Sequence, residues 1–71
     1  MINKAIMRSV MVRHSDTQEK LAEALNLQIS GLNARINGKV DFRAREIAKI
    51  RDRYNLTSDE VMEIFFDGIA S

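Results

Sequence analysis

Cysteine and proline are both absent from this chain of 71 residues. Without cysteine there is no disulfide, and no cluster of metal-ligating residues takes its place, so the usual staples of a small domain are missing. Without proline, repeats or low-complexity segments, the chain reads as helices joined by short turns. Alternating β-branched residues, the mark of a strand, are absent too. Long apolar runs are also lacking. Charges interrupt each one, which argues against a signal peptide or a membrane span and points to the cytoplasm.

Enzyme chemistry has little to work with, and no enzyme and no cofactor are expected. There is no cysteine nucleophile and no glycine-rich phosphate loop. His14 is the single histidine, and its place at a helix end suits a partner for the helix dipole better than a general base. The acid pairs Glu19/Glu23 and Glu60/Glu63 fit solvated helix faces. Met7, Met11 and Met62 read as core filler and Met1 as the initiator.

What is present is the profile of a globular domain near the lower size limit for a free-standing core, with 45% apolar and 30% charged residues. Net charge is only +1, but it is unevenly spread. Residues 35–53 hold seven bases against three acids, and residues 57–71 hold four acids and no base. A basic middle can neutralise phosphates while an acidic tail faces away from them.

The apolar periodicity predicts an all-α, compact five-helix domain. Helix 1 runs from an Asn3 cap to about His14, with Ile2, Ile6 and Val10 inward. Asp16 or Thr17 caps helix 2, in which Leu21, Ala24 and Leu25 form the buried stripe and Ala22 permits close helix approach. Helix 3 spans about Ile29 to Ile36, with Ile29, Leu32 and Ile36 inward and Ser30, Gly31 and Ala34 on the opposite face. Asn37-Gly38 is the stop signal. Helix 4 spans about Ala44 to Tyr54, with Ile47, Ile50 and Tyr54 inward and Asn55 as a left-handed cap. "TSDE" (Thr57 to Glu60) opens helix 5 as a capping box. That helix carries two apolar stripes, Val61/Ile64/Phe65 and Met62/Phe66/Ile69. The second is either wrapped by the fold or left for a partner, which makes Met62, Phe66 and Ile69 the candidate dimer face.

The segment "TQEKLAEALNLQISGLNARINGK" (17–39) has Gln18 opening one helix, Ala22 four residues on and a turn at Asn26. This spacing lets two helices cross steeply around a small residue. With "INGKVDF" and "EIFF", it resembles the phage Cro and repressor type of helix-turn-helix protein, the Xre family. The likeness is greatest to short Cro-like regulators of phages of Gram-positive bacteria, and it covers roughly residues 5 to 66. It implies a lambda-repressor-like fold with the helix-turn-helix at about 17–37, acting in the bacterial cytoplasm. It also implies a dimer on operator DNA that regulates transcription in a lysis–lysogeny type of switch. By the same resemblance Gln18 binds a phosphate. Gln28, Ile29, Ser30, Gly31, Asn33 and Ala34 meet the bases, while Asn37 and Lys39 grip the backbone with Arg43 just beyond.

Three departures from the family pattern stand out. Asn26 replaces the usual turn glycine, Gln28 replaces a capping Ser, Thr or Asp, and Ile29, Gly31 and Ala34 stand where many relatives have long polar side chains. Gly31 costs a helix roughly 1 kcal/mol relative to alanine, which close approach of a partner would offset. Two functions follow from the same helix. It reads DNA modestly, through Ser30 and Asn33 to base edges, Ala34 to a thymine methyl, and Arg35 or Lys39 to phosphates. Alternatively, its smooth face docks on the DNA-binding domain of the phage repressor, as an antirepressor.

Overall fold

The computed structural model describes residues 1–67, and among these every regular element is an α-helix. They are α1 (Lys4–Arg13), α2 (Gln18–Ala24), α3 (Ile29–Ile36), α4 (Ala44–Tyr54) and α5 (Ser58–Phe65). The all-α, five-helix expectation holds, with α3 and α4 bounded as the sequence predicts.

Local chemistry fixes most of the helix starts. The Asn3 side chain accepts from the Ile6 amide, and Thr17 Oγ1 accepts from the Lys20 amide, so Thr17 rather than Asp16 is the cap of α2. Thr57 and Glu60 form the expected reciprocal box at 2.9 and 3.1 Å. Gln28 makes no side-chain cap bond, which leaves the start of α3 locally weak.

The first four helix ends follow a single pattern. Each of the first four helices is followed by a left-handed residue: Ser15, Asn26, Gly38 and Asn55, with φ of 53°, 57°, 79° and 52°. In each case the next amide reaches back to a carbonyl of the last turn, as from Leu27 to Ala22 (2.8 Å) and from Lys39 to Ala34 (2.9 Å). These are Schellman closures, and they supply the steep turns that the short connections demand. Asparagine tolerates this backbone better than most residues, so Asn26 stands in for glycine in the α2–α3 turn.

Met7, Leu21, Leu32, Ile36, Ile50 and Ile64 are fully buried at the centre of the bundle. α2 packs on α3, while α5 packs on both α1 and α4. The N-terminus is tied down by the Asn3 amide donating to the Ile64 carbonyl at 2.6 Å.

Several inward assignments change. Ile29 is 44% exposed, because it lies at the edge of the stripe that Leu32 and Ile36 bury. Ala24 is exposed, while Ala22, expected to permit close helix approach, is buried. In α1 the deepest residues are Met7, Val10 and Met11, while Ile2 and Ile6 are only partly buried. Of the methionines, Met7 and Met11 fill the core, but Met62 is 43% exposed. Phe42 and Leu56, which lie outside any helical periodicity, also join or flank the core; the Phe42 ring meets Phe65 edge-on at 5.3 Å.

Candidate functional site

α3 is held by its buried residues Leu32 and Ile36 and presents a mixed outer surface. Gln28, Ile29, Ser30 and Asn37 are exposed, whereas Gly31, Asn33 and Ala34 are half-buried. Gln18, at the start of α2, is half-buried as well. The turn brings Gln28, Ile29 and Ser30 beside Glu19 and Glu23 of α2, and together they line a wide, open groove. Thus the N-terminal half of α3 has an apolar side chain facing water and two carboxylates next to it.

Gly31 has no backbone requirement to be glycine, since its φ is not in the left-handed region. A Cβ built there meets only Arg35 Nη1, at 3.5 Å, which is ordinary contact. Nothing within the described residues therefore offsets the helix cost of this glycine.

Arg35 does not face outward with Ile29 and Ser30. Its Nε donates to Glu46 Oε1 at 2.9 Å and its Nη1 donates to the Gly31 carbonyl at 3.0 Å. The two side chains are 11% and 5% exposed. Glu46 Oε1 also accepts from the Arg43 amide at 2.9 Å and so serves the start of α4. Burial works to raise the Glu46 pKa, but the Arg43 amide and the Arg35 guanidinium outweigh it and hold the carboxyl below its ordinary value. Arg35 thus differs from its expected role on phosphate: it supports α3 from behind, because Glu46 offers a buried partner that the sequence pattern did not reveal.

Four of the exposed cations form a rim along the α3–α4 connection and the first turns of α4. Lys39 follows α3, Arg43 precedes α4, and Arg45 and Lys49 stand four residues apart on α4. Among the described residues none of these four enters an ion pair. Arg43, Arg45 and Lys49 line a cleft of about 260 Å³ that reaches Asn26 in the α2–α3 turn. Arg45 and Lys49 were not singled out as contacts from the sequence, although their i, i+4 spacing places them on one face of α4.

A second polar cluster braces the turn before α2. Asp16 accepts from Arg53 at 2.8 and 3.0 Å, from the Thr17 amide at 2.9 Å and from the Tyr54 hydroxyl. Arg53 above all, with Tyr54 and Thr17, holds its carboxyl far below the ordinary carboxylate range despite burial. Burial, and then the Asp16 carboxylate that accepts its hydroxyl, push the Tyr54 pKa above its ordinary value. His14 closes α1 as its C-terminal cap and packs against the Tyr54 ring, with centroids 5.0 Å apart.

On the proposed dimer face, Phe66 is half-buried against the core and Met62 is exposed, while Ile69 lies outside the described residues. No helix is long and apolar enough to cross a membrane, and no group of three or more acids or histidines is placed to hold a metal, both among the described residues. No family model, curated protein or solved structure matches the chain.

Proposed function

We propose that this chain is a phage-type, Cro-like helix-turn-helix regulator that binds operator DNA with α3 as its reading helix. The observation that carries this reading is the rim of Lys39, Arg43, Arg45 and Lys49, four exposed cations that follow α3 in the chain and enter no ion pair among the described residues. Such a rim suits phosphates on either side of a groove, which fix register without reading sequence. Ser30 and Asn33 are then the side chains for base edges, and Ala34 suits a thymine methyl. With so few long polar groups on α3, sequence discrimination is modest.

One observation favours the second reading, an antirepressor that covers the DNA-binding domain of the phage repressor. Exposed Ile29 sits beside Glu19 and Glu23, which repel phosphates but suit the basic surface of a DNA-binding partner. An apolar anchor flanked by charges is also how protein interfaces are commonly built.

Ala34→Glu tests both, since it adds bulk and negative charge while leaving Leu32 and Ile36 untouched. A gel shift on the DNA upstream of the reading frame, with and without the neighbouring repressor, provides the readout. Loss of the shift made by this chain alone supports operator binding. Loss of co-purification with the repressor, from a wild-type chain that binds DNA only at about 10⁻⁴ to 10⁻⁶ M, supports the antirepressor. A folded variant that keeps both activities removes α3 from consideration.

A further inference from the structure

α3 contains one basic side chain, Arg35, and the fold turns it inward. We infer that Glu46 is a positioning residue and charge mask for α3. It holds Arg35 against the start of α4, so that the outer face of α3 meets its partner uncharged and attraction to phosphates is left to the rim cations. This rests on reading α3 as the working surface.

A single carboxylate oxygen, Glu46 Oε1, accepts from Arg35 Nε and from the Arg43 amide, each at 2.9 Å. That oxygen therefore ties the last turn of α3 to Arg43, the rim cation that precedes α4. An apolar pair of similar volume would join the helices about as well, so stability alone does not call for charges here. What the charged pair adds is direction. The guanidinium is planar, and bonds to Glu46 and to the Gly31 carbonyl fix its orientation.

The electrostatic consequence follows from position. Arg35 lies between an apolar cleft that includes Phe42 and Ile47 and the basic cleft that includes Arg43 and Lys49. Freed from Glu46, it would become a fifth cation beside the four of the rim. Its added attraction would go to phosphates, which carry no sequence information.

The test compares variants by elution from heparin and by binding to a duplex without the operator. Glu46→Gln keeps an acceptor for the Arg43 amide while removing the charge. Glu63→Gln makes the same change in net charge at an exposed position of α5 and serves as its control. The expected result is later elution for E46Q than for E63Q. Duplex affinity of E46Q should also fall more steeply than wild type, by roughly 3.5-fold more between about 50 and 200 mM salt, the effect of one added phosphate contact. Adding Arg35→Met to E46Q should abolish both gains, which a merely structural defect would not reverse. Arg35→Gln leaves Glu46 unneutralised and should elute earlier than its charge-matched control, Lys4→Gln. This second pair decides the matter if E46Q loses its helical circular dichroism. E46Q that tracks E63Q, or R35Q that tracks K4Q, overturns the inference. If the heparin shifts appear as expected but neither operator nor repressor is bound by the wild type, the mask stands and the reading of α3 as the working surface fails.

Discussion

Arg53 grips Asp16 across 37 residues of sequence, with Nε to Oδ2 at 2.8 Å and Nη2 to Oδ1 at 3.0 Å. The fork joins the end of α4 to the turn that launches α2, and the Tyr54 hydroxyl closes the same carboxylate from the next position. The fork thus ties the C-terminal end of α4 to the start of α2, whereas Arg43 and Arg45 lie at the N-terminal end of α4.

Acid should loosen this brace. The Asp16 pKa in the folded chain lies below its ordinary value of 3.8. Its contribution is therefore complete above that value and is lost as pH falls toward the folded one. Glu46 shifts in the same direction and adds to the trend. Urea unfolding is expected to show stability declining once pH drops below about 5. Asp16→Asn should cost about 1–3 kcal/mol near neutral pH and flatten the decline. A variant with an unchanged acid profile would show that the fork contributes nothing.

Gly31→Ala separates folding from binding. The new Cβ has room, so the helix should gain up to about 1 kcal/mol in thermal or urea unfolding. If a partner's backbone approaches this face, the same methyl group should weaken association. Stabilisation with binding unchanged would mean that the face stays open in the complex.

Ser15 is the non-glycine, non-asparagine residue among the four left-handed closures. Ser15→Gly should relieve about 1 kcal/mol of backbone strain without touching the proposed surface. Chemical denaturation measures the gain, and operator or repressor affinity should stay the same.

The rim makes a prediction in salt. Replacing Lys39, Arg43, Arg45 or Lys49 by alanine should weaken binding to operator and non-operator duplexes alike. Each loss should also reduce the slope of log affinity against log salt by about one. Slopes that stay unchanged for all four would place the phosphate contacts elsewhere.

The sequence by itself determined the helices, because their signals are local. Thr57 with Glu60, Asn3 before α1 and Asn37-Gly38 after α3 each satisfy or end a helix through bonds within a few residues. The left-handed caps at Asn26 and Asn55 were legible for the same reason, as was the burial of Leu32 and Ile36, spaced i, i+4 on one face of α3, and of Ile50 and Ile64 on the apolar stripes of α4 and α5. The candidate site was only half legible. The family resemblance singled out α3, Lys39 and Arg43, but which α3 side chains face outward depended on how α2 and α4 pack against it. Only the tertiary structure exposed Ile29 and set Glu19 and Glu23 beside it. It alone paired Arg35 with Glu46 and Arg53 with Asp16, at separations of 11 and 37 residues. A cation's reach is not encoded in its own neighbourhood: whether it binds a phosphate or a buried carboxylate depends on which distant segment folds against it.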